Sequence, residues 1–227
     1  MQSIYFVDSN FTYESSKKSI LSIRYATDGF SFCVHDETGK LVVFVHEPYA
    51  ADSREAAVAR LKNYVVNDAI LNLRFKKVYI MPCFKEKLLV PGAFFDKANI
   101  TTLYTVNQEV SPDDTILYHH IEGIEAYLVE TVISSFHDFV REHFPVFQIV
   151  NGAYPFILGA MGKALRDTEQ IFLDIQDNYF DLLFIRDFGI QLFNTFSYKA
   201  TTDIVYFLLN CIKECGINQE KAHLSIC

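Results

Sequence analysis

The chain of 227 residues is half apolar and about one-fifth charged, with 20 Lys and Arg against 28 Asp and Glu for a net charge of −8. This composition is globular rather than disordered, and the length suffices for one large domain or two compact lobes. The acidic balance argues against nucleic acid and anionic lipid surfaces as partners, because it repels their phosphates.

The N-terminus, Met1 to Asp8, lacks a basic region ahead of an apolar core, so no signal peptide is expected. The uncharged apolar run Ile204–Leu209 is far shorter than the about 20 residues that span a bilayer, which predicts a soluble, cytoplasmic protein with no membrane insertion. Five cysteines form no CxxC pair. Cys211 and Cys215 have a helical i, i+4 spacing open to a metal, but they read better as buried thiols in a reducing compartment, and no metal site is expected.

In chain order, Ser19–Tyr25 and Phe30–His35 predict two strands joined through Thr27-Asp28-Gly29. Lys40–Glu47 is a third strand, stopped by Pro48. Asp52 caps a helix, with Glu55 completing a capping box and Val58, Leu61, Tyr64 and Val65 on its apolar face. Lys77–Met81 is a strand parallel to the first, since a helix precedes it. The basic cluster Arg74, Lys76, Lys77, Lys85 and Lys87 reads as the solvated flanks of that strand.

Val90–Phe95 suggests a loop entering a short helix. Thr115–His120 and Glu125–Thr131 form a strand pair around Glu122-Gly123; His119 and His120 then point to opposite faces and cannot share a metal. Ser134–Phe144 is a helix ended by Pro145, and residues 153–166 are another. The opening pattern then returns: strands Gln170–Gln176, Tyr179–Arg186 and Ile190–Ser197, a helix capped by Thr201 or Thr202 and stopped at Gly216, and a strand from Ala222.

A three-strand meander, a helix and a parallel strand, used twice, resembles the duplicated ribonuclease H-like lobes of the actin-like ATPases. Each lobe is then a mixed α/β sheet: a first over 1–166, with an α+β insert at about 100–150, and a second, abbreviated or truncated, over 167–227. In that superfamily the first hairpin carries an Asp-x-Gly pattern, whose acid handles metal and whose glycine admits phosphate. The matching stretch here is Ile23-Arg24-Tyr25-Ala26, with a cation where the acid belongs and a Cβ where the glycine belongs. The second hairpin, Ile171 to Ile175, keeps an acid at Asp174, and Asp181 falls where a second acid is common. Yet Gln176-Asp177-Asn178-Tyr179 replaces the glycine-rich turn that would cradle phosphate. Asp174 is expected either as a strand-end residue bonded to the turn, the preferred reading, or as a metal-handling acid.

Leu88-Leu-Val-Pro91 with Phe94-Phe95, His143-Phe-Pro145, and Asn194-x-Phe196 followed by Asp203-x-x-Tyr206 are similar to motifs of an uncharacterised bacterial family with an actin-like ATPase fold, and more distantly the chain resembles the pilus-assembly and type II secretion actin-like proteins. The resemblance implies a non-catalytic protein-binding scaffold with no cofactor. The alternative it leaves is an ATP- and magnesium-binding, or ATP-hydrolysing, protein in which Arg24, Asp174 and Asp181 contact the nucleotide in the cleft between lobes. A ribonuclease H-type nuclease is disfavoured, because Arg24 breaks the acid cluster that a two-metal site needs.

Phenylalanine and tyrosine are abundant, 21 and 13 residues, and Phe172, Phe180, Phe184, Phe188, Phe193 and Phe196 crowd the second meander. A meander buries both faces only with a layer on each side. The expectation is that one face of residues 170–197 lacks cover and is buried by a partner, a second copy or another protein.

Overall fold

The computed structural model describes residues 2–227. Strand β1 (Ile4–Val7) and a one-turn helix α1 (Tyr13–Ser16) precede the meander β2 (Ile20–Ala26), β3 (Gly29–His35) and β4 (Leu41–Pro48). Gly29 closes the first turn at φ +150°, where a Cβ would lie 2.7 Å from the Glu47 carbonyl oxygen. Helix α2 (Arg54–Asn67) then crosses to β5 (Lys77–Pro82), which runs parallel to β2. The α2 cap is Ser53 rather than Asp52: Ser53 holds the extended backbone of a cap, and its hydroxyl accepts the Ala56 N–H.

Strand β6 (Lys87–Pro91), a 3₁₀ turn (Gly92–Phe94) and helix α3 (Ile100–Asn107) lead to strands β7 (Asp114–His120) and β8 (Ala126–Ile133). Helix α4 (Ser134–His143), the short strand β9 (Phe147–Ile149) and helix α5 (Ala153–Met161) follow. The second meander is β10 (Glu169–Ile175), β11 (Tyr179–Arg186) and β12 (Gly189–Ser197), continued by α6 (Thr201–Glu214) and β13 (Ala222–Ile226). Ala200, not either threonine, caps α6, because the Asp203 carboxylate reaches back to accept the backbone N–H groups of Lys199 and Ala200.

The chain divides into two compact units, neither of them contiguous. One comprises the chain up to Phe84 with Val110–Leu117 and Glu130–Gly152; the other comprises Lys85–Glu109, Tyr118–Val129 and Ala153–Cys227. Strand order in the first is β1-β4-β3-β2-β5-β9 and in the second β12-β11-β10-β13; a third sheet is ordered β6-β8-β7. The repeat is one of topology and of register. Arg24 pairs Ser31, which pairs His46; Asp174 pairs Asp181, which pairs Thr195. Counted from the hairpin turns, Ile23 and Leu173 are therefore equivalent.

In the first unit, Leu21, Ile23 and Tyr25 line up with Val34, Phe32 and Phe30 on one face of the sheet. They pack with Ala57, Leu61 and Val65 of α2 and with Phe136 and Val140 of α4. The other face carries Arg24, Ser31 and His46 and is half-buried. In the second unit helices cover both faces of the β10–β11 pair. Phe172, Leu183 and Ile185 pack on Ala153, Ile157 and Ala160 of α5; Ile171, Leu173, Phe180 and Phe184 pack on Ile204 and Ile212 of α6. The expected open face of residues 170–197 does not exist, because α5 supplies the missing layer. Central strand β11 is accordingly buried over seven successive residues, the signature of a strand with a layer on each side. Among the described residues no helix is long and apolar enough to cross a membrane.

Candidate functional site

The side chains of the second hairpin are committed to the protein itself. Asp181 sits mid-strand on β11, only 2% exposed. Its Oδ1 accepts from Lys87 Nζ at 2.8 Å and from Thr195 Oγ1 at 2.6 Å. Lys87, the first residue of β6, also lies over the Tyr179 ring, 4.6 Å from its centroid. Burial pushes the Asp181 carboxyl up from its ordinary value, and the Lys87 ammonium and Thr195 hydroxyl pull it back toward the ionised form. Asp174, directly opposite on β10, accepts from the Gln176 side-chain amide at 2.8 Å. It thus stands as a strand-end acid bonded to its own turn.

On the first hairpin, Arg24 pairs with Asp28 at 3.5 Å, across the turn that follows its own strand. The row Arg24, Ser31, His46 is continued by a contact of 3.0 Å between Ser31 Oγ and His46 Nδ1. A cation, a hydroxyl and an imidazole here stand at the register positions of two carboxylates and a hydroxyl in the second hairpin. The two hairpins share geometry and not chemistry. The structure describes Arg24 in one unit and Asp174 and Asp181 in the other.

Neither turn offers a run of free backbone N–H groups without Cβ atoms. Thr27-Asp28 closes the first, ahead of Gly29; Asp177-Asn178 closes the second, where Gln176 N–H donates to the Tyr179 carbonyl. Beside the second turn, Lys85, Asn178, Tyr198, Lys199 and Tyr206 line a cavity of about 620 Å³. Lys85 and Lys199 give it a cationic rim, and Asp203, tied to the α6 cap, contributes a carboxylate.

Lys87 and Thr195 are partners of Asp181 that sequence patterning missed. Lys87 belongs to no solvated flank: it is 3% exposed, and it leaves the basic cluster to which its position assigned it. The available signal was a single lysine opening the apolar run Leu88-Leu89-Val90, where a buried charge requires an acid from elsewhere. Thr195, in a meander of aromatics, carried no signal beyond its pairing position opposite Asp181.

This architecture is that of the actin-like ATPase fold. It is similar, at a TM-score of 0.88 and 24% identity, to a protein of Bacteroides thetaiotaomicron with an actin-like ATPase fold and unknown function, over 95% of this chain and 84% of that one. Weaker likenesses reach an exopolyphosphatase from Cytophaga hutchinsonii (TM-score 0.46, 13% identity, 92% of this chain and 66% of that one). A PilM–PilN type IV pilus biogenesis complex is similar at a TM-score of 0.49 and 13% identity, over 88% of this chain and 66% of the other. Residues 8–227 match DUF3822, a family of proteins of unknown function, and the chain belongs to it. No curated protein matches it.

Proposed function

We propose that this protein is a non-catalytic, protein-binding scaffold, a cytoplasmic bacterial protein whose two phosphate loops have degenerated. The observation that carries the reading is the fate of Asp181: the acid in place for metal chemistry is sealed against Lys87 and Thr195. An ammonium at 2.8 Å competes directly with any divalent cation for that oxygen. Arg24, in the position of the first acid, repels a cation as well, and Asp28 holds it.

The test is a thermal melt with millimolar Mg-ATP. A ligand present at about 100 times its Kd stabilises by about 2.7 kcal/mol, so binding of ordinary affinity moves the transition by several degrees. No appreciable shift is expected. A shift that disappears in Asp174→Ala overturns the scaffold reading and establishes the second one, an ATP-binding protein. What favours that alternative is the cavity beside Asn178 with its two lysines.

A further inference from the structure

Strand β12 is an outer strand of its sheet, and β6 is an outer strand of the three-stranded one. Lys87 of β6 and Thr195 of β12 both reach Asp181, which ties the two strands together. A groove of about 560 Å³ is lined by Leu89 and Pro91 of β6, by Phe188 and by residues 189–193 of β12. Ile124 and Glu125 also line it.

Four features mark it as a seat for an extended chain. First, β12 reads GIQLFNTFS, nine residues with no charge and no proline, so it lacks the usual devices that keep an outer strand from pairing. Second, the ladder between β11 and β12 shifts register at Phe184/Ile185, leaving Gln191 as the extra residue of a bulge that bows this end of β12. Third, the mouth is held by Asp187-Phe188, both at positive φ (50° and 63°), a conformation costly for a bulky side chain. That turn leaves Phe188 49% exposed beside the groove. Fourth, the charges around the apolar lining are of one sign: Glu125 lines it, and Glu122 and Asp187 flank lining residues in sequence. The three carboxylates take part in no ion pair among the described residues, though Asp187 Oδ1 accepts the Asp167 N–H at 2.9 Å, and the neighbouring Arg186 is committed to Glu169.

We propose that this groove takes an extended segment of a partner protein in which apolar residues alternate with Lys or Arg. Residues 189–193 seat about five partner residues, at about 3.4 Å each. The apolar side chains of the segment enter between Leu89 and Ile190, and its cations meet Glu125 and the acids beside it. Alternation is required because successive side chains of an extended segment point to opposite faces. The proposal rests on the scaffold reading and supplies its docking surface.

The test uses the full chain and a six-residue peptide alternating valine and lysine, followed by the amide resonances of the protein. Expected are perturbations confined to Gly189–Phe193 and Gly123–Ala126, weakened by salt and about fivefold to tenfold by Glu125→Lys. The matching valine–glutamate peptide is expected to leave these amides unmoved. Equal binding of both peptides, perturbation elsewhere, no binding, or concentration-dependent shifts of the Gly189–Phe193 amides in the free protein each overturn the proposal; the last assigns the groove to a second copy. Parallel titration with Mg-ATP separates this failure from that of the scaffold reading, since only nucleotide binding bears on the latter.

Discussion

Lys87 Nζ stands 2.8 Å from Asp181 Oδ1 with both side chains almost wholly withdrawn from water, 1% and 2% exposed. Removing one partner of such a pair leaves the other buried and uncompensated, which costs about 3–5 kcal/mol. Lys87→Met is therefore expected to lower stability by that order in urea denaturation. The double variant Lys87→Met/Asp181→Leu is expected to recover most of it. The deficit of the single variant has a pH signature. Without Lys87, burial alone raises the Asp181 carboxyl above its unfolded value of 3.8, so the folded state favours the protonated acid. The deficit is smallest below that value and grows as pH rises through the raised one. A deficit independent of pH refutes the ion-pair account.

The contact between Gly152 and Cys83 predicts a second outcome. A Cβ built on Gly152 collides with Cys83 Sγ, while Gly152 N–H donates to the Pro82 carbonyl and fixes the backbone there. Gly152→Ala is expected to cost about 1–3 kcal/mol as an overpacked site. Adding Cys83→Ala removes the sulfur and should return most of the loss, because the nearest remaining atoms are then 3.6 Å and 3.7 Å away. Equal denaturation midpoints for the single and double variants contradict this.

Arg54 predicts a difference between two cations. One guanidinium nitrogen reaches Thr131 Oγ1 at 2.9 Å and the other Asp114 Oδ1 at 2.5 Å, while the Asp114 side chain is 2% exposed. An ammonium cannot present two donors in that planar fork. Arg54→Lys is expected to lose about 1–2 kcal/mol, and Arg54→Met more, since it abandons Asp114. Equilibrium unfolding ranks the three proteins; lysine equal to arginine contradicts the bidentate role.

His119 gives the chain a slope in mild acid. Burial holds its imidazole below the ordinary 6.5, so the unfolded chain binds the proton more readily. The stability it contributes is present above pH 6.5 and is lost as pH falls through the depressed value. His143 is shifted in the same direction by the same cause and adds to the slope. His119→Gln is expected to flatten, without abolishing, the fall of the urea midpoint between pH 7.5 and pH 5. An unchanged slope contradicts the assignment.

The meanders were legible because their code is local. Alternation in Leu21-Ser22-Ile23-Arg24-Tyr25 and the Asp-Gly turn set one hairpin, and the same grammar set the second. Legibility failed where a residue's role depends on distant chain. Strand β9 is three residues long and exists because Val78 and Ile80 offer it a parallel edge. Helix α5 was read, but not that its Ala153, Ile157 and Ala160 would roof Phe172 and Leu183. Arg24 was visible as a departure from a pattern, and Asp174 as a residue that keeps it. The role of Lys87 was not visible, since its partner lies on β11 and only the tertiary fold joins them.

The interleaving of the two units has a consequence for how the protein is made. When Gly152 has left the ribosome the first unit holds every residue it needs, while β6 and α3 of the second wait for strands not yet synthesised. Lys87 emerges long before Asp181; at about 5–20 residues per second the interval lasts on the order of 5–20 seconds. During it, packing β6 into any premature apolar cluster would strip water from an unanswered ammonium, a step with a steep cost. Burying Leu88, Leu89 and Val90 before their acid is made therefore carries the cost of an unpaired ammonium. A lysine that in the finished protein fills a buried pair is, in the nascent chain, a charge whose early burial is penalised.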